Sequence, residues 1–394
     1  MIKLNELINK LCPDGVEYKK LIYCTEMKRG TSATKNTLKI GKVPVISGGR
    51  EPSFYCNVSN RDKEIITVAG SGAGAGYIQY WNIPIFACDC FTIKGNKEVE
   101  TKYIYYCLSN MQEKIYDTKK GGGVPHVHIS SIDNFKIPVP PIEVQNEIVR
   151  ILDNFTELTA ELTAELTARK QQYEYYKNEL INKEYKNSIK KKIYEVTIWD
   201  KKFNAVENFK QPIVKKYKTL LAKDLFNLKV EKGDVFLLST GEEIGWTTKE
   251  VAADFISEGE VVTIPWGKSR PVSEVIKYYK GRFVTGDNRI ATSKDLKILN
   301  NKFLFYWFLV KGNYIDKLYR GAGIQHPDMR AVLDLDIIIP PLEEQERIVN
   351  ILDRFDKLCN DISEGLPAEI EARKKQYEYY RDKLLTFKEL KENN

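Results

Sequence analysis

Pro140-Pro-Ile-Glu-Val-Gln-Asn-Glu-Ile-Val-Arg-Ile-Leu-Asp-Asn-Phe155 returns 200 residues later as Pro340-Pro-Leu-Glu-Glu-Gln-Glu-Arg-Ile-Val-Asn-Ile-Leu-Asp-Arg-Phe355. Ala168-Arg-Lys-Gln-Gln-Tyr-Glu-Tyr-Tyr176 returns as Ala372-Arg-Lys-Lys-Gln-Tyr-Glu-Tyr-Tyr380, 204 residues on. Two matches in one order make an internal repeat, and a repeat outranks every local signal in deciding the fold. Upstream the match thins. Lys102-Tyr-Ile-Tyr-Tyr106 answers Lys302-Phe-Leu-Phe-Tyr306, and Gly121-Gly-Gly-Val-Pro-His126 answers Gly321-Ala-Gly-Ile-Gln-His326. Ile65-Ile-Thr-Val68 and Val261-Val-Thr-Ile264 read as equivalent strands, but the stretches around them, 28–95 and 215–295, align only loosely. Each half therefore has a variable front and a near-constant back.

Asn5-Glu-Leu-Ile-Asn-Lys10 is identical to Asn178-Glu-Leu-Ile-Asn-Lys183. The chain thus opens on the tail of a repeat unit, and a closed, cyclic arrangement with the two ends together is expected. The constant part reads as a long helix. Ile148, Leu152, Phe155, Thr159, Leu162, Leu166, Arg169, Tyr173, Tyr176 and Leu180 follow steps of four and three, the spacing of a coiled-coil seam. The second copy runs Ile348, Leu352, Phe355, Cys359, Ile362, Leu366, Ile370, Arg373, Tyr377, Tyr380 and Leu384, with a stutter at Leu366. Gly365 and Pro367 predict a break or kink there. The Pro-Pro pairs mark the helix starts. Two such rods are expected to pair, antiparallel if the chain is cyclic. Inside the first, Thr156-Glu-Leu-Thr-Ala-Glu-Leu-Thr-Ala-Glu-Leu-Thr167 repeats a four-residue unit, close to one helical turn, so gain or loss of a unit changes the rod by about 6 Å.

The expected fold is mixed (α+β): two α/β domains in a pseudo-twofold, cyclic arrangement, separated by a long antiparallel two-helix coiled coil. The boundaries are placed at 1–140, 141–186, 187–340 and 341–394. In the fronts, Val43-Pro-Val-Ile46, Glu64-Ile-Ile-Thr-Val68 and Ile83-Pro-Ile-Phe86 predict strands, and Lys102–Tyr116 and Lys302–Tyr319 predict helices.

Composition agrees with an ordinary globular chain. Of 394 residues, 42% are hydrophobic and 29% charged, which excludes wholesale disorder. The net charge of +7 permits a polyanionic partner without requiring one. No apolar run approaches a membrane span, and the N-terminus lacks a signal-peptide profile. Seven cysteines (12, 24, 56, 88, 90, 107, 359) form no Cys-x-x-Cys pair, so reduced thiols in a cytoplasm are expected. Only His126, His128 and His326 are present, which weakens histidine catalysis and histidine metal sites.

The variable fronts carry basic and small polar residues on glycine-rich loops, a chemistry suited to phosphates and base edges. In the first half the candidates are Lys28, Arg29, Thr31, Ser32, Lys35, Ser47, Gly48, Arg50, Ser71, Lys119, Lys120 and His126. In the second they are Trp266, Lys268, Ser269, Arg270, Arg289, Tyr319, Arg320, Gln325 and His326. Enzyme motifs fare worse. Gly70-Ser-Gly-Ala-Gly-Ala-Gly76 follows a strand like a cofactor loop, but no (Asn/Asp)-Pro-Pro-(Tyr/Phe) motif accompanies it. Asp14 with Glu17 and Lys19 is too tightly spaced for a nuclease cluster, and His126-x-His128 lacks partners for a metal. A flexible turn or a DNA-backbone approach suits the glycine loop better.

In the repeated Pro-Pro-x-Glu-x-Gln and Arg-Lys-x-Gln-Tyr-Glu-Tyr-Tyr segments the chain resembles the specificity subunit of type I restriction–modification enzymes, over its whole length and in order. One departure is the lysine-rich stretch from Asn187 to Leu228, which lacks a clear copy of Pro13-Asp-Gly-Val-Glu-Tyr18. The resemblance implies a cytoplasmic, non-catalytic DNA reader, each variable domain recognising one half of a split, asymmetric target. It implies two adenine-methyltransferase subunits held by the conserved helices, with Gln145, Arg169, Tyr173, Tyr176, Gln345, Arg373, Tyr377 and Tyr380 as candidate contacts. It further implies restriction/translocase subunits. No cofactor is expected in this chain; S-adenosylmethionine, ATP and Mg belong to the partners, and no metal site or membrane contact is expected. The competing readings are a stand-alone methyltransferase using the glycine loop and a coiled-coil protein without DNA affinity.

Overall fold

Ile142–Asn182 is one continuous helix of 41 residues, and the chain divides into two units along it. The computed structural model describes residues 2–121, 123–239, 241, 243–268, 270–286 and 288–390. One unit comprises Met1–Ala164 with Ala368–Asn394, the other Glu165–Pro367. The division falls within the long helix, rather than at its ends, where the Pro-Pro pair suggests boundaries.

In the first unit a four-stranded antiparallel sheet runs in the order Thr25–Arg29, Cys90–Gly95, Ile65–Ala69, Ile78–Trp81. Ile65–Ala69 is buried along its whole length, as a mostly apolar strand inside a covered sheet should be, and its one polar side chain, Thr67, accepts from Trp81 Nε1 (2.9 Å). The helix Thr101–Asn110 packs on this sheet. A side sheet joins Phe54–Cys56, Ile40–Ile46 and Phe86–Ala87. Of Ile83-Pro-Ile-Phe86 only Phe86 enters a strand, the short Phe86–Ala87. Pro84 has no N–H to give a ladder. A ribbon of Glu17–Lys20 with Lys136–Val139 leads into and out of the domain. The chain ends meet inside this unit: Val16 N donates to Lys388 O (2.9 Å), Leu390 N donates to Val16 O (3.0 Å), and the Tyr18 hydroxyl donates to Phe387 O (3.1 Å). The match between Asn5–Lys10 and Asn178–Lys183 thus has a physical basis in this closure.

The second unit rebuilds the same frame. Its sheet runs Thr197–Trp199, Asn288–Ser293, Ser257–Pro265, Lys277–Thr285, then adds Val235–Leu238 and Trp246–Thr247. The first four strands repeat the order and antiparallel sense of the first unit's sheet, with Ala69 opposite Cys90 there and Pro265 opposite Asn288 here. The helix is Asn301–Asp316, and the ribbon leading in and out is Ile189–Lys192 with Asp336–Ile339. The first strand of that ribbon, Ile189–Lys192, lies in the lysine-rich stretch where no copy of the first lead-in strand is legible. The two lead-in strands align as Lys19-Lys-Leu21 with Lys191-Lys-Ile193. Each is followed by one helical turn and by a threonine, Thr25 or Thr197, whose hydroxyl donates to the carbonyl four residues back at 2.6 Å.

The second long helix is broken as expected. Leu342–Asn360 stops, and Leu366–Leu384 begins. Gly365 is required at the break, since a Cβ there would meet Asp361 O and Lys357 O at 2.6 Å. Ile362 does not occupy the seam; it lies in the break and is 87% exposed. Within the first unit the Phe155 and Tyr380 rings stack with centroids 5.4 Å apart. Within the second, Tyr173 and Tyr176 flank Phe355 at 6.2 and 5.9 Å.

Candidate nucleic-acid interface

In the first unit, the loops at one end of the four-stranded sheet close on one another. Lys28 and Arg29 end the strand Thr25–Arg29, and Gly30 N donates to Cys90 O (2.8 Å) and Thr31 N to Ala87 O (2.9 Å). Thr31, Ser32 and Lys35 follow on an exposed loop. The glycine loop presses against the Ser47–Arg50 loop. A Cβ on Gly48 would meet Ser71 O at 2.2 Å, and one on Gly74 would meet Gly48 O at 2.3 Å. Gly72 and Gly76 add φ values of +80° and +82°. Backbone packing and left-handed turns therefore account for these glycines. The Arg50 guanidinium lies 4.9 Å over the Tyr77 ring, and Lys119 Nζ lies 4.0 Å over Tyr116.

Lys120 and His126 close a hairpin through paired backbone hydrogen bonds of 2.9 and 2.8 Å. Val127 N donates to Gly70 O (3.1 Å) and Gly72 N to Pro125 O (3.0 Å), which binds the hairpin to the glycine loop. A cleft forms between them, lined by Arg29, Ser71, Asp89, His126, His128 and Ser130. The Ser71 hydroxyl donates to the Asp89 carboxylate, and the two histidine rings stack with centroids 6.1 Å apart.

In the second unit the matched loop carries Trp266 in place of Gly70. His326 Nδ1 lies 2.9 Å from Trp266 O, their ring centroids are 4.2 Å apart, and the Arg289 guanidinium lies 5.9 Å from the indole. Lys268 N donates to Gln325 O (3.1 Å), and Arg320 pairs with His326 across a hairpin. The cleft here is lined by Lys201, Lys202, Phe203, Arg289, Arg320 and His326. Arg270 is exposed nearby, and Ser269 lies outside the described residues. Lys201 and Lys202 escaped the sequence reading. They fall in the divergent lysine-rich stretch, and the only signal was their following the strand Thr197–Trp199 as Arg29 ends its counterpart.

Several candidates prove structural. Tyr319 is only 4% exposed and donates its hydroxyl to Pro265 O (2.6 Å), so its ring belongs to the core and cannot reach a ligand. The Lys268 ammonium is committed to an ion pair with Asp316, itself half-buried. Gln145 and Gln345 are fully buried. Gln145 accepts from Glu100 N (2.9 Å) and donates to Glu98 O (2.9 Å) and Pro140 O (2.7 Å). Gln345 repeats this with Asn300 N (2.8 Å), Ile298 O (2.8 Å) and Pro340 O (2.8 Å). Each glutamine splices its domain to its helix and has no face for a partner. Tyr173 is buried in the seam, and burial also pushes the half-buried Tyr377 hydroxyl up to about 12. Arg169 pairs with Glu165 and Gln172, and Arg373 with Glu369 and Gln376, along their own helices. Tyr176, 40% exposed, keeps an outward face beside its contact with Phe355, and its neighbour Tyr175 and the matching Tyr379 are more exposed still, at 61% and 60%.

Among the described residues, no cluster of metal-ligating side chains and no helix long and apolar enough to cross a membrane is present. The family model for the type I restriction modification DNA specificity domain matches twice, over residues 13–172 and 168–372. This chain belongs to that family. It is 30% identical over 315 residues to the type I restriction enzyme EcoR124I/EcoR124II specificity subunit of Escherichia coli, covering 73% of this chain and 70% of that protein. A Haemophilus influenzae protein named as a type I restriction enzyme specificity subunit is 28% identical over 376 residues, 90% of each. In fold, the chain is similar to the crystal structure of a type I restriction–modification S subunit from M. genitalium, with a TM-score of 0.63, 15% identity and coverage of 94% and 96%. The double match of the family model agrees with one strand frame occurring twice.

Proposed function

We propose that each unit reads one half of a bipartite, asymmetric DNA target for a type I restriction–modification complex. The observation that carries this is the contrast between frame and loops. The four-stranded sheet, the Gln145/Gln345 splice and the hairpins repeat, while the loops around the two clefts do not. Two unlike reading surfaces on one frame suit two unlike half-sites. Arg29, Arg50 and Lys120 in the first unit, and Arg270, Arg289 and Arg320 in the second, supply the cationic contacts, in keeping with the +7 charge.

The chain itself is a scaffold without an active site. The close packing of Gly48, Ser71 and Gly74 accounts for the glycine loop, and the matched loop begins Trp266-Gly-Lys268, with no such glycine run. Both facts favour a scaffold over a glycine-loop methyltransferase. Adenine-methyltransferase subunits dock on the long helices, where Tyr175 and Tyr379 present exposed rings, and restriction/translocase subunits join through them. S-adenosylmethionine, ATP and Mg reside in those partners, and the complex works in the cytoplasm. The test is methylome sequencing of cells carrying the chain with its methyltransferase, alongside gel shifts of the complex at graded salt. A two-part methylated motif with salt-sensitive binding is expected. Methylation by the purified chain alone overturns the reading.

A further inference from the structure

We propose that the hairpins Lys120–His126 and Arg320–His326 are a duplicated, sequence-independent DNA grip, whose apolar tips Val124 and Ile324 lodge in a groove of the duplex. This inference rests on the DNA-reading function above. Its starting point is that these two hairpins are alike although the neighbouring loops are not.

Each hairpin opens on a glycine in the left-handed region, Gly121 at φ +113° and Gly321 at φ +133°, and closes on a histidine paired across to a cation, Lys120 or Arg320. Each carries a branched aliphatic near its tip, Val124 at 55% and Ile324 at 67% exposure. With more than half of its surface in water, and with Ile324 Cγ2 touching the edge of its unit at Gly267, each aliphatic contributes little to folding. A Cβ on Gly123 or Gly323 would meet nothing within 4 Å, so each hairpin is open at that residue. The hairpins are nonetheless anchored. The first is tied to the glycine loop by Val127 N to Gly70 O (3.1 Å), the second to the Trp266 loop by Lys268 N to Gln325 O (3.1 Å). Each tip therefore stands beside its reading cleft.

A device built alike in both units, with a cation, a glycine turn, a branched aliphatic and a histidine at matched places, is poorly suited to distinguish two different half-sites. What any two half-sites share is the duplex: its phosphates, its sugars and the walls of its grooves. Lys120 and Arg320 supply the phosphate contact, and the tips supply an apolar contact with sugars and base edges. Charge complementarity selects DNA over a protein face. Lys119 stands at the base of one hairpin, and Lys201, Lys202 and Arg289 line the cleft beside the other.

The experiment uses the full chain co-purified with its methyltransferase partner, with Val124→Ser, Ile324→Ser and the double variant. Binding to a random-sequence duplex and to the methylated motif is measured by fluorescence anisotropy over a range of salt. Each serine is expected to weaken both affinities alike, by about tenfold, with the salt slope unchanged. Lys120→Gln and Arg320→Gln are expected to lower that slope by about one each. The methylated motif stays the same in all variants. Unchanged affinity, a motif altered at one base, or loss of the methyltransferase with DNA affinity retained would each overturn the grip. A wild-type complex with no salt-sensitive affinity for any duplex would instead sink the underlying reading.

Discussion

The ammonium of Lys102 lies 2.7 Å from the carboxylate of Asp153, and the pair recurs as Lys302 and Asp353 at the same 2.7 Å. Each aspartate also accepts from a buried tyrosine hydroxyl, Tyr106 at 2.5 Å or Tyr306 at 2.6 Å. The aspartate thus stands on the long helix and holds the domain helix by two groups at once. Burial and the adjacent carboxylate push both hydroxyls well above the usual tyrosine range, so they stay protonated donors. Asp153→Ala takes from the buried hydroxyl its carboxylate acceptor and from Lys102 its ion-pair partner, and should cost its unit about 2 kcal/mol. Tyr106→Phe removes the hydroxyl as well and should cost less. Urea denaturation followed separately for each unit checks the order, and equal costs would refute it.

Glu147 supplies a pH dependence. Its carboxylate is 3% exposed and is held by Arg150 at 2.6 Å and Lys3 at 3.1 Å. The Arg150 hydrogen bond, opposed by burial and aided by Lys3, brings it down to about 2. A carboxyl depressed in the folded state stabilises above its unfolded value and loses that contribution as pH falls toward 2. The first unit should therefore lose about 1–2 kcal/mol between pH ~4.3 and ~2, allowing for screening of the exposed cations. Glu147→Gln should flatten that segment of the stability curve. A curve of unchanged slope would show that the pair contributes nothing.

The two buried glutamines make a sharper prediction. Gln345→Leu keeps the approximate volume but strands Asn300 N, Ile298 O and Pro340 O. The expected cost is about 3 kcal/mol in the second unit, with the first unit's unfolding transition unmoved. Gln145→Leu should show the mirror result. Differential scanning calorimetry resolves the two, and a surface role for either glutamine predicts no shift.

Gln145 also shows what the sequence could and could not convey. The heptad steps announced the helix Ile142–Asn182, and Gly365 with Pro367 announced its partner's break, because periodicity and backbone-restricting residues act locally. A glutamine next to a proline pair reads as surface polarity, since the carbonyls it satisfies lie 5 and 47 residues away in sequence. The strand Ile189–Lys192 was hidden for a related reason. It is lysine-rich and acquires its identity only by pairing with Asp336–Ile339. The reading clefts were half legible: loop chemistry located Arg29, Ser71 and Arg289, while Asp89, His128, Lys201 and Lys202 are brought to them by strand register.

Trp266 tests the independence of the two readers. Its indole is 36% exposed, packed on His326 and close to the Arg289 guanidinium. Trp266→Ala removes the surface on which His326 and Arg289 are arranged. Preference should relax at one or two positions in a single half-site, by about fivefold to a hundredfold each. The other half-site should keep its motif. Methylome sequencing of the variant reads both at once, and relaxation in both half-sites would contradict separate readers.

The tetrapeptide run lies wholly inside the helix Ile142–Asn182, where the Thr159 and Thr163 hydroxyls donate to the carbonyls of Phe155 and Thr159. Deleting Thr159–Leu162 removes about 6 Å of rod and leaves the flanking turns rotated by only about 40°. Because the deleted unit is followed by a copy of itself, the same residue types return to the same faces, and the helix should persist. If the helix sets the distance between readers, the spacer between half-sites should shorten by about one or two base pairs, with both half-site sequences kept. Inserting a second copy should lengthen it by the same amount. The methylated motif of each variant gives the spacer directly. A spacer unchanged in both would mean that something other than this helix measures the distance.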